Sequence, residues 1–402
     1  MPARSLAPIA ARAAALRGSA AVLCVRRLAA AGWFVLLAPF AAAAAPAAPP
    51  SPDTVVETQL APRAVKAQVA RLQRAATGDA ATRSARAREL IVAARSSGDL
   101  RLLGYAEAQL GTLDDADALV LRATIAQSQH RFDEARALLD RVLAEHVLPD
   151  STHAQALLTR AAILQVQGRA AEALRDCTAL AALAPLPGEI CTAATEGASG
   201  AVPHALQRLE AAARSAQVRS WALSLAGELH LQSGRPTQAV TLLRAALARE
   251  DEPYTRVLLA DALLEAQRPD EVEPLLAAAP PTDAVLLRRW IAAQRGGSVT
   301  ATRAAALQAS LEARFAADAA RGAPLHLREA GRFALERQRT AEALQLAQAN
   351  WRSQRESADA LLLAQAARAA GDAATIDALR RWLATSGLRD ARIEQALARG
   401  AA

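Results

Sequence analysis

The chain has 402 residues, a formal net charge of +7, and 52% hydrophobic but only 3% aromatic residues. Alanine and leucine therefore supply most of the buried surface, which favours helices over the β-branched and aromatic chemistry of strands. Nucleic acid is not the expected partner: Arg4, Arg12, Arg17, Arg26 and Arg27 all precede residue 46, and taking these five from +7 leaves only +2.

Residues 1–27 are basic, Leu28–Ala45 form an apolar run, and the run closes on small residues that resemble an A-x-A cleavage site. That order describes a secretory signal over 1–45. The apolar run is 18 residues long, at the lower edge of what spans a bilayer, so an uncleaved inner-membrane anchor over 28–45 is the alternative. The expected location is the periplasm or the exterior. Residues 46–63, rich in proline and alanine, read as a linker, and 64–115 as a helical N-terminal capping region.

From 116 to 385 the chain repeats. Turn positions His130, Gly168, Gly200, Gly234, Gln267, Gln338 and Gly371 recur at steps of 32–38 residues, except one step of 71 that holds an additional, expanded unit near 283–322. Small residues sit midway along each first helix, at Ala123, Ala161, Gly227, Ala260 and Gly331. Ala135, Ala173, Ala205, Ala239, Val272 and Ala343 open the second helices, each followed four residues later by Leu139, Cys177, Leu209, Leu243, Leu276 or Ala347. Pro149, Pro185 and Pro280 terminate units. Two helices touch closely where side chains are small, and an apolar seam closes the contact. Residues 386–402 read as a C-terminal capping helix and tail.

These units resemble the tetratricopeptide repeat family. The resemblance implies an all-α, right-handed α-solenoid of helix-turn-helix repeats, and a non-catalytic protein-interaction scaffold or assembly factor, here in the cell envelope. It also implies that the first helices line a concave groove for a protein or peptide partner. Carrying that face over gives Thr124, Gln127, Gln165, Glu228, Asp261, Arg289, Arg328, Arg332 and Gln365, acidic in the middle and basic towards the C-terminal end.

Cys177 and Cys191 flank the turn at Pro185–Gly188, where two antiparallel helices bring them together; a disulfide is favoured over two buried thiols, with helix register deciding. No cofactor, metal or catalytic residue is expected. Lys66 is the sole lysine and lies outside any GxxxxGK, and neither GxSxG nor HExxH occurs. The alternative to a scaffold is an enzyme with an unusual site at His326 and Glu329, which share a helix face at i, i+3. The stretch Asn350–Asp359 is dense in polar groups, and Trp351, Arg355 and Asp359 are placed to fix the junction between two repeats.

Overall fold

The computed structural model describes residues 78–145, 147–296, 299–320 and 326–398; the signal, the anchor alternative and the linker lie outside them. Nineteen α-helices and no strands occur among the described residues. They form nine successive pairs. The first four are α1 (Ala80–Ser97) with α2 (Arg101–Leu110), α3 (Ala116–Ser128) with α4 (Phe132–Leu143), α5 (Asp150–Val166) with α6 (Ala170–Leu183), and α7 (Pro185–Ala198) with α8 (Val202–Ala212). Then come α9 (Arg219–Gln232) with α10 (Pro236–Leu247), α11 (Pro253–Glu265) with α12 (Val272–Leu276), and α13 (Asp283–Gln294) with α14 (Ala301–Ala320). The last pairs are α15 (Leu327–Glu336) with α16 (Thr340–Trp351), and α17 (Ser357–Ala370) with α18 (Ala373–Ser386), followed by α19 (Ala391–Ala398) against α17. The fold is an α-solenoid. None of the described helices is long and apolar enough to cross a membrane.

Local sequence explains the pairs. Every repeat turn named above has a left-handed backbone, including three that are not glycine: His130 at φ 56°, Gln267 at 59° and Gln338 at 59°. One residue in that conformation reverses the chain after a helix. The small residues Ala123, Ala161 and Ala260 are fully buried, as are Ala135, Ala173, Ala205, Ala239, Val272 and Ala343 opposite them. Each leucine of the seam, such as Leu139, Leu209 or Leu243, is completely covered, which contributes about 1.5–3 kcal/mol per side chain. The seventh pair is the expanded one: α14 runs for 20 residues and adds Phe315 to the Trp290–Phe333 edge contact.

The superhelix also closes on itself. The turn between α16 and α17 meets the N-terminal half: the Arg355 amide donates to the Val166 carbonyl at 2.7 Å, and Gln354 Nε2 lies 3.3 Å from His130 Nδ1. Further along, the Arg389 amide donates to the Ala198 carbonyl at 2.9 Å. Gly168 shows how tight this seam is, because a Cβ there would stand 2.7 Å from the Trp382 ring. Leu100 and Leu103 of the first pair likewise share a cavity wall with Val257 and Val285. One full turn therefore brings units five to six apart into contact.

Candidate functional site

The first helices α3 to α17 line the inside of this turn, and closure makes much of that surface interior. Thr124 is fully buried and donates to the Val120 carbonyl at 2.8 Å; Gln127 is buried beside it. Gln165 is half-buried and donates to Thr195 Oγ1 at 2.6 Å. Glu228 is buried, accepting from Tyr254 Oη at 2.8 Å and from Gln232 Nε2 at 3.1 Å. Only Gln365 is exposed.

Arg289 needs a correction. It does not face the interior; it is buried against α12, donating twice to Glu273 at 2.7 and 2.8 Å. The physical reason is register: Arg289 lies seven residues before its turn glycine, Gly296, where the other units carry Ala123, Ala161, Gly227, Ala260 and Gly331. That position packs between helices. Its neighbour Arg288 takes the inward place.

Arg288, Asp261 and Arg332 build a ladder across three first helices. Asp261 accepts from Arg288 Nη2 at 2.8 Å and from Arg332 Nη1 at 2.6 Å, while Arg288 Nη1 lies 3.4 Å from Glu329. Burial opposes ionisation of Asp261, but the two guanidiniums outweigh it and hold its carboxyl well below the usual range. Arg328 continues the ladder to α17, donating to Asp359 at 2.6 Å and to Glu356 at 2.9 Å. Asn350 Nδ2 also donates to Asp359, at 2.7 Å, and Asn350 Oδ1 accepts from Gln354 Nε2 at 2.8 Å. The polar stretch Asn350–Asp359 thus ties α16 and α17 to α15 and, through Gln354 and Arg355, to α3 and α5.

His326 and Glu329 take different partners: Glu329 faces Arg288, whereas the His326 ring pairs with Asp283. Burial disfavours a charged His326, but Asp283 outweighs it and raises its affinity for a proton, and the same contact with Arg314 lowers the Asp283 carboxyl to about 2 against its own burial. Asp283, Asp318 and His326 bring ligand-type atoms within 4.8 Å of one another. A cation there would have to displace His326 and Arg314 from Asp283. Nearer the axis, burial lifts the Glu228 carboxyl to about 7 and pushes the His130 imidazole well below its ordinary value, helped by Arg328 and His326. These groups surround a cavity of about 100 Å³ at the centre of the turn, with room for several water molecules.

Reasoning from sequence missed Arg288, Tyr254 and Glu356, whereas Asp359 was placed at the repeat junction where it is found. Counting back from the turn does not find Arg288, which lies eight residues before Gly296 where the other inner residues lie three, six or ten before theirs. Nothing local marks Tyr254 and Glu356, whose partners lie 26 and 28 residues away.

Cys177 and Cys191 are joined by a disulfide between α6 and α7, with Cα atoms 5.4 Å apart.

Residues 230–294 match the tetratricopeptide repeat family. No curated protein matches the sequence. Among solved structures, the apo form of the quorum sensor NprR from B. thuringiensis is similar at 13% identity and TM-score 0.40, covering 80% of this chain and 97% of that one. A human IFIT1 dimer with PPP-AAAA is similar at 11% identity and TM-score 0.46, covering 84% and 88%. The matched segment spans the pairs from the end of α9 through α13, and on that segment, within a continuous stack of like pairs, the chain carries tetratricopeptide repeats.

Proposed function

We propose that the chain is a non-catalytic protein-interaction scaffold or assembly factor of the bacterial cell envelope, binding a protein or peptide partner along the inner face of its superhelix. The observation that carries this reading is the row of first helices sharing one inner face, charged from α9 to α17 and ending at the exposed Gln365. A partner of complementary, alternating charge suits that row. Because the α16–α17 turn grips α3 and α5, the partner enters from the open C-terminal end or displaces that grip. Export is supported by the basic segment, apolar run and small residues of 1–45, and by the disulfide, which belongs to oxidising compartments.

A photo-crosslinking residue at Gln365 should capture one envelope protein, whereas the same residue at Arg380, on the outer helix α18, should not. Equal capture from both positions, or none from Gln365, overturns the inner-face assignment. Alkaline phosphatase fused after residue 63 should be active if the segment exports, and inactive if it does not.

A further inference from the structure

A second cavity, of about 90 Å³, lies where the C-terminal units close over α5, α7 and α9. Its walls are mainly apolar, with Leu158, Leu225, Trp221 and Trp382 facing a common space. Among the polar residues that interrupt this wall, two stand out. Gln232 and Glu356 are 5% and 4% exposed, and Gln232 Oε1 and Glu356 Oε1 have no hydrogen-bond partner among the described residues. Both atoms are acceptors left bare in a buried place, a costly state that calls for a donor.

The charges around them ask for the same thing. Glu228, Glu356, Asp359 and Asp390 interact with one another and with two guanidiniums, Arg328 and Arg392. Arg392 pairs with Asp390, and Arg328 is shared between Asp359 and Glu356. Among the described residues, Glu228 accepts from Tyr254 and Gln232 and from no guanidinium. Arg355, also on the wall, does not supply the charge, since its guanidinium lies over the Trp351 ring at 5.8 Å. The neighbouring ladder is already balanced, with Arg288 and Arg332 against Asp261 and Glu329. Without a cation beside them, burial makes Glu228 and Glu356 hold their protons, and an ammonium next to the two bare oxygens would supply the positive charge that the carboxylates lack.

We infer that this cavity is a binding site for a primary ammonium on a short alkyl chain, its N–H groups donating to Gln232 Oε1 and Glu356 Oε1 and its carbons packed among Leu158, Leu225, Trp221 and Trp382. Indole faces favour a cation as well as a hydrocarbon. The size limits the chain: a cavity of about 150 Å³ holds benzene, so one of this volume takes roughly four carbons. That chemistry has two sources, a free alkylamine or the lysine side chain of a partner protein. The site stands independently of the proposed scaffold role, because a free amine would fill it with no partner present.

The test titrates the full chain with n-butylamine, Nα-acetyl-lysine amide, n-butanol and butyrate, following tryptophan fluorescence and calorimetric heat. At least one amine should bind saturably, at least tenfold more tightly than n-butanol, with butyrate weakest. Butylamine alone assigns a free amine; the lysine amide binding equally or better assigns a partner side chain. Glu356→Gln, checked for retained helicity by circular dichroism, should cut the preference for amine over alcohol to under threefold. Should that variant fail to fold, Ala194→Leu, which narrows the cavity without touching its charges, should abolish binding. Failure of both amines to bind, or n-butanol binding as tightly as they do, overturns the assignment.

Discussion

The inner faces of α5–α9 and of α11–α17 are built on the same helix pair and carry opposite chemistry. The first is alanine, leucine and tryptophan around a small cavity, stapled by Cys177–Cys191 and pressed so close that Gly188 meets the Ala181 backbone. The second is a ladder of arginines and carboxylates from Asp261 to Asp359. What the two share is the seam between the helices of each pair, where Ala173, Ala205, Ala239 and Ala343 are all fully buried. The seam specifies the repeat, and the inner face is left free to diverge.

The largest effect should come from cutting the ladder. Asp359 is buried and holds Arg328, Asn350 and the Glu356 amide. Asp359→Ala leaves a buried guanidinium short of its partner and should cost about 3–5 kcal/mol, measured by urea denaturation. A smaller loss would mean that Glu356 alone can neutralise Arg328.

Reduction of the disulfide probes the other region. The bridge closes a segment of 14 residues, and its loss should cost about 3 kcal/mol. Denaturation midpoints with and without reductant, and for the Cys177→Ala/Cys191→Ala double variant, provide the check. No change would show that close packing alone holds α6 against α7.

pH separates the regions next. The Glu228 carboxyl titrates near 4.5 when unfolded and about 7 when buried, so the folded chain holds this proton more tightly. Stability from this group is therefore undiminished below pH 4.5 and falls as pH rises through 7, a loss of about 3 kcal/mol. Glu356 and His326, whose proton affinities are also raised, act in the same direction; His130 and His230, whose affinities are lowered, oppose them below about pH 6.5, and the lowered Asp261 and Asp283 destabilise only under more acidic conditions. The unfolding midpoint should be higher at pH 5.5 than at pH 8, and Glu228→Gln should shrink the difference. An unchanged difference would remove Glu228 from the account.

The smallest effect is steric. A Cβ at Gly188 would lie 2.4 Å from Ala181 Cα, so Gly188→Ala should cost about 1–3 kcal/mol. A neutral result by thermal unfolding would show that α6 and α7 can separate without penalty.

The repeat was legible because its causes are local. A left-handed residue, a small residue seven before it and an alanine opening the next helix recur together, and all seven turn positions read from sequence have positive φ. The site was legible only in part. Glu228, Asp261, Arg328 and Arg332 do lie on the inner network, but whether they face solvent depends on how far each pair rotates against the next. That rotation is small and its sum is global, so contacts such as Gln354 with His130, 224 residues apart, leave no mark in any short window. Arg289 was misplaced for a simpler reason, since the expanded unit obscured the register of α13.

The grip of Arg355 on Val166 and of Arg389 on Ala198 has a consequence for how such a chain can change over time. An open stack tolerates gain or loss of a whole unit, because each unit answers only to its neighbours. Here, duplicating a single 34-residue module anywhere between α7 and α15 would swing the distal end round the axis and part both hydrogen bonds at once. The number of modules is thereby fixed by geometry, as the number of links is fixed in a bracelet that must reach its own fastening.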